Sequence, residues 1–120
     1  PQTRRKIWDL ILLMNRSGVT VLLTTHYIEE AESLCHRVGI VDYGKLIALG
    51  SPKELKRNIG DYCVEFLKEF GVERHFFASR QDARNFAAGQ ECDTVVRRTN
   101  LEDVFVELTG RVGKELAFAF

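Results

Sequence analysis

Neither sign of charge is in excess in this sequence: 17 Lys and Arg stand against 17 Asp and Glu, a formal net charge of +0 at pH 7. Without a net field, neither a nucleic acid nor an anionic membrane attracts the chain as a whole. The basic pairs Arg4-Arg5, Lys56-Arg57 and Arg97-Arg98 are too short for a nucleic-acid patch and read as solvated surface. Long hydrophobic runs are missing too. The main apolar stretches, residues 10–14 and 19–23, fall far below the ~20 residues that a membrane-spanning helix needs. Neither has the layout of a signal peptide, so a soluble chain is expected. Cysteine is scarce: Cys35, Cys63 and Cys92, with no C-x-x-C pair. Their odd number excludes a fully paired disulfide framework and their spacing argues against zinc, so three core-type thiols in a reducing cytoplasm are expected. There is no low-complexity run, no H-E-x-x-H and no G-x-S-x-G. The sequence also opens on Pro1 instead of methionine and moves straight into a helical pattern, as expected of a piece of something longer.

What is present is globular in composition. With 120 residues, 45% hydrophobic and 28% charged, the chain suits one ordinary domain or two small ones. Ile7, Leu10, Ile11 and Met14 recur at helical spacing, predicting a helix over residues 3–16 with one buried face, widened by Trp8, Leu12 and Leu13. Arg4, Arg5 and Lys6 fall at the positive end of that helix's dipole, a misplacement that invites an anionic neighbour. Residues 19–23 predict an interior, parallel strand. A second helix follows, with Ile28, Ala31, Leu34 and Cys35 on one face, Thr25 as its N-cap and Glu29, Glu30 and Glu32 in its first turns. Strands at 38–41 and 46–49 flank the turn D-Y-G-K, and Ser51 caps a short helix over 52–57.

Residues 58–61 are turn-like and divide the chain into 1–58 and 59–120. In the second part, 62–67 and 72–78 predict strands, although a short helix fits the first nearly as well. Ser79 caps a helix carrying Ala83, Phe86 and Ala87, residues 94–98 form a strand, and Asn100 caps a helix with Leu101, Val104, Phe105 and Leu108 on one face, closed by Gly110. The fold class expected is α/β for the first part, followed by a small α+β domain.

One residue carries a functional suggestion. His26 follows Thr24-Thr25 at the tip of the predicted strand and precedes a helix, and in open α/β sheets ligands sit beyond the carboxyl ends of the strands. Taken alone, a histidine there serves packing or capping more often than chemistry. Residues 39–45 match the spacing G-x-x-x-x-G-K of a phosphate-binding loop. The next residue is Leu46, so no hydroxyl is offered to magnesium. Ile40 and Val41 are strand formers, and no helix follows to aim its N-terminus at an anion. The segment is expected to be a hairpin. Cys35-His36 has no base-orienting partner, and His36 and His75 are expected at the surface or partly packed.

Three blocks together carry a family likeness. "PQTRRKIWDLI", "GVTVLLTTHYIEEAESLCHRVGIVDYGKLIALGSPKEL" and "TNLEDVFVELTGR" resemble, in that order, the C-terminal part of an ABC transporter ATPase subunit of the branch that energises ABC-2-type exporters of drugs, antibiotics and polysaccharides. The first two look like the helix after the D-loop, the switch-histidine (H-loop) strand and helix, and the closing hairpin. The third looks like that branch's C-terminal signature, in which a proline-serine commonly stands where Thr99-Asn100 stand here. The resemblance implies a P-loop NTPase fold for residues 1–58 and an accessory domain for 59–120. It implies that His26 reaches the γ-phosphate of ATP and aligns the attacking water. It also implies ATP and Mg²⁺ as cofactors, a second ATPase subunit and membrane-spanning permease subunits as partners, and a cytoplasmic location peripheral to the membrane through the permease. In the family the Walker A loop, Gln loop, ABC signature, Walker B aspartate and catalytic glutamate precede the position of Pro1. The isolated chain is therefore expected to be inactive, to hold no cofactor and to self-associate. The alternative is that it is an autonomous interaction or dimerisation module with no catalytic role.

Overall fold

The computed structural model describes residues 2–25, 27–110 and 117–119. The described chain is mixed α/β. In order it runs α1 (Gln2–Arg16), β1 (Leu23–Thr25), α2 (Ile28–Leu34), β2 (Val38–Asp42), β3 (Lys45–Gly50) and α3 (Pro52–Ile59). It continues with β4 (Tyr62–Lys68), β5 (Gly71–Phe77), α4 (Arg80–Ala88), β6 (Thr94–Arg98), α5 (Leu101–Thr109) and β7 (Ala117–Ala119). Two compact units result, Pro1–Pro52 with Val112–Phe120, and Lys53–Arg111.

In the first unit four strands form a sheet in the order β1-β7-β2-β3, every described pairing antiparallel. The β2–β3 hairpin closes through Tyr43 and Gly44, both at positive φ (50° and 73°). Two such residues make the turn whose twist matches the strands it joins. Residues 39–45 therefore run along a strand and round a hairpin, as the sequence pattern predicts, and offer no phosphate nest. The α2 helix lies against β1 and β7, and Ala31, Val38 and Ile40 are buried.

In the second unit β5-β4-β6 make an antiparallel sheet, which settles residues 62–68 as a strand. The α4 helix covers one face, where Val64, Phe66 and Ala83 form a core with Tyr62, Phe77, Phe86, Ala87 and Val96 packed round it. The Ser79 hydroxyl caps α4 by accepting from the Asp82 amide. Asn100 and Asp103 form a reciprocal capping box on α5, and Gly110 ends it in the left-handed conformation. Thr99, buried between β6 and α5, donates its hydroxyl hydrogen to the Gly60 carbonyl and its amide to the Asp61 carbonyl.

Five expectations are corrected. The predicted interior strand over 19–23 is instead a three-residue strand, Leu23–Thr25, paired antiparallel at the edge of its sheet. Residues 19–22 have no strand partner among the described residues, and Leu22 is 66% exposed. The stripe on α1 is also displaced. Ile7, Leu10 and Met14 are exposed, and the more covered positions are Trp8, Ile11 and Asn15, a face rotated toward α2. Tyr27, not Thr25, is the N-cap of α2, with no side-chain cap bond. Cys92 is exposed, unlike the buried Cys63 and half-buried Cys35. Arg97 is drawn from the surface into ion pairs with Glu65 and Asp103.

Candidate functional site

His26, the residue singled out as catalytic, lies outside the described residues. Its chain neighbours are described, and they are tied together by a polar cluster. Thr25 ends β1 and is 5% exposed. Its hydroxyl accepts from the Tyr27 amide at 2.9 Å and donates to Glu30 Oε1 at 2.7 Å, using both capacities of a single oxygen. The residues on either side of position 26 are thus tied to each other, and both to α2.

Glu30 is the hub. Its second oxygen accepts from the Trp8 indole N–H at 2.7 Å, which fastens α1 to α2 across 22 positions of sequence. Arg4, one helical turn before Trp8 on the same face of α1, places its Nε 3.9 Å from the same oxygen. Its guanidinium carbon lies 4.2 Å from the centre of the Tyr27 ring, a cation–π contact. The anionic neighbour invited by the misplaced cations is therefore Glu30. Burial pushes the Glu30 carboxyl upward, but the bonds from Thr25 and Trp8 and the charge of Arg4 outweigh it and hold the group below its ordinary value. A carboxylate holding two charge-assisted bonds is fixed in place as well as in charge.

The other histidines offer no comparable arrangement. Cys35 is the C-cap of α2, and His36 follows it, exposed. Burial, then the charge of Glu30, raise the Cys35 thiol to about 11, so a Cys–His nucleophile is not formed there. Both residues line a crevice of about 20 Å³ with Ile11, Asn15, Val21 and Leu23, which is no substrate cavity. His75 is partly packed, its ring 5.0 Å from Phe66 and its Nε2 2.7 Å from Glu73 Oε1. An open concavity of about 720 Å³ lies at the β4–β5 turn, lined by Leu67, Phe70, Val72 and Cys92 with the Lys68–Glu73 ion pair. Among the described residues no three His, Cys, Asp or Glu side chains are grouped to hold a metal ion, and no helix is long and apolar enough to cross a membrane.

The Glu30 cluster was not legible in sequence. Its members had each been given a local role: Trp8 as helix face, Thr25 as cap, Glu30 as dipole partner. Only Arg4 carried a hint, through its unfavourable place on the helix dipole.

No protein-family model matches the chain. Curated relatives do. Nod factor export ATP-binding protein I of Cupriavidus metallidurans is 38% identical over 132 aligned residues, covering 92% of this chain and 44% of that protein. Daunorubicin/doxorubicin resistance ATP-binding protein DrrA of Streptomyces peucetius is 42% identical over 97 residues, covering 81% of this chain and 28% of that protein. Linearmycin resistance ATP-binding protein LnrL of Bacillus subtilis is 37% identical over 79 residues, covering 66% and 25%. The chain spans less than half the length of these relatives. At 33–42% identity across most of its length, it is a homologue of the ABC ATP-binding proteins of the exporter and drug-resistance type.

Proposed function

We propose that the chain is the C-terminal portion of the ATP-binding and ATP-hydrolysing subunit of an ABC exporter, and that it supplies the switch histidine, His26. In this reading residues 1–58 close a P-loop NTPase domain and residues 59–120 form an accessory domain. The observation that carries it is the homology, which covers 92% of the chain in an export ATP-binding protein. The order of a strand before position 26 and a helix after it supports it as well. The described residues themselves do not fit a Mg·ATP site: residues 39–45 are hairpin, and no metal-binding group of acids is found among the described residues. Phosphate cradle, magnesium ligands and base belong, on this proposal, to the rest of the parent protein. ATP and Mg²⁺ act there, with a second ATPase subunit and permease subunits as partners, at the cytoplasmic side of the membrane.

The role proposed for His26 is to donate one hydrogen bond to the γ-phosphate. Phosphoryl transfer is catalysed mainly by positioning and charge stabilisation, so a single well-placed donor matters. In the intact subunit, His26→Ala is expected to leave nucleotide binding nearly unchanged while lowering ATP turnover by about 10²-fold or more. Equal losses in both would assign His26 to binding or folding instead. The second reading, an interaction or dimerisation module with no catalytic role, is favoured by the exposed apolar side chains at the β4–β5 turn, where Phe70 is 96% exposed. It requires His26→Ala to leave turnover untouched.

A further inference from the structure

The carboxylate of Glu30 stands where three separate pieces of chain meet. Helix α1 reaches it through Trp8 and Arg4, the end of β1 through Thr25, and α2 contributes Glu30 itself. The Thr25 hydroxyl passes the constraint on to the Tyr27 amide, and Arg4 stacked on the Tyr27 ring reaches the same residue a second way. Two constraints therefore converge on the residues flanking position 26 from one helix. The α2 helix begins at Tyr27 without a side-chain cap bond, and Ala31 is its fully buried residue. From this geometry we infer that Glu30 is a positioning residue, which ties Thr25 and Tyr27 to α1 and α2 and, through those two residues, sets the imidazole of His26.

The inference rests on the proposal that His26 acts on the nucleotide, and the physical reason is simple. A donor that must meet a phosphate oxygen only in the transition state loses its effect with displacements of about 1 Å. A neutral amide at position 30 keeps the size of the side chain but offers one acceptor oxygen in place of two and no charge for Arg4. Glu30→Gln therefore removes half of the clamp without opening a cavity.

Two measurements test this. In the 120-residue chain, proton NMR follows the ring signals of His26, His36 and His75 through a pH titration. Glu30→Gln is expected to shift the Trp8 indole N–H signal and to change the midpoint of His26, with His75 unchanged as the internal control for folding. A His26 titration identical to wild type would overturn the inference. In the intact subunit, Glu30→Gln is expected to lower kcat for ATP by about 10- to 100-fold with KM nearly constant. Trp8→Phe, which deletes a single N–H donor, gives a smaller loss in the same direction. In a His26→Ala background neither change has a further effect. Losses that persist in that background would show that Glu30 acts independently of His26, which also overturns the inference. If His26→Ala alone leaves turnover intact while the NMR shifts appear, the proposed function fails and the positional role of Glu30 stands.

Discussion

Arg97 gathers three carboxylate oxygens around one guanidinium. It donates two parallel bonds to Asp103 at 2.7 and 2.8 Å, and Nε reaches Glu65 at 3.1 Å. Asp103 also accepts the Asn100 amide at 2.8 Å. Burial pushes the Asp103 carboxyl up, but Arg97 and the Asn100 amide hold it below its ordinary value. A carboxyl lowered in the folded state contributes stability above its unfolded value of ~3.9 and loses it as the pH falls through the folded value. Asp103→Asn is expected to cost about 2–3 kcal/mol at pH 7, since it leaves Arg97 without its bidentate partner. The cost should shrink as the pH falls through that folded value, and urea melts of both proteins across the acid range check it. Equal stability at pH 7 would remove the network from the energetics. A second residue-scale prediction concerns Gly60, at φ +120°, where a Cβ would come within 2.9 Å of the Phe77 backbone. Neither the angle nor the space admits a side chain, so Gly60→Ala should cost about 2–4 kcal/mol, read as a lower melting temperature.

At the scale of elements, α5 buries Leu101, Val104 and Phe105 and is capped at both ends. The capping box of Asn100 with Asp103 and the left-handed Gly110 are local devices, and Asn100→Ala should cost about 1 kcal/mol, whereas Asn100→Gly should cost only a few tenths. A chemical-denaturation series on the two variants distinguishes a lost cap bond from a lost backbone preference. Such locality explains what the sequence could show. As caps, Asn100, Asp103, Gly110 and Ser79 act within four residues of themselves, and Tyr43-Gly44 closes its own hairpin, so these elements were legible. The α1 stripe was not. Leu12 and Leu13 make the helix apolar on several sides, and periodicity shows a stripe without naming the partner that covers it. Residues 19–22 failed likewise, because the pairing of a strand depends on a neighbour distant in sequence. The Glu30 cluster joins positions 22 apart, beyond the reach of any local pattern.

For the molecule as a whole, the exposed apolar surface on α1 and the chain after it is the main liability. Ile7, Leu10, Leu13 and Leu22 are between 52% and 66% exposed, and β1 lies at the edge of its sheet. Unpaired strand edges and apolar faces recruit other chains. Self-association of the 120-residue chain is therefore proposed. Light scattering over a dilution series should show a mass that rises with concentration, and Leu10→Glu with Leu13→Glu should suppress the rise. A constant monomer mass would refute the idea. Calorimetry with Mg·ATP should detect no micromolar binding to the same chain, and binding would require a phosphate site that residues 39–45 do not provide. The clamp at Glu30 also has a practical consequence. Trp8 is the one tryptophan in all 120 residues, and its indole N–H ends on the carboxylate that also accepts from Thr25. Excited selectively, the molecule emits from a single place. Any event that loosens that bond, whether a variant, a change of pH or a docking partner, should shift the colour and intensity of its intrinsic fluorescence without a label being attached.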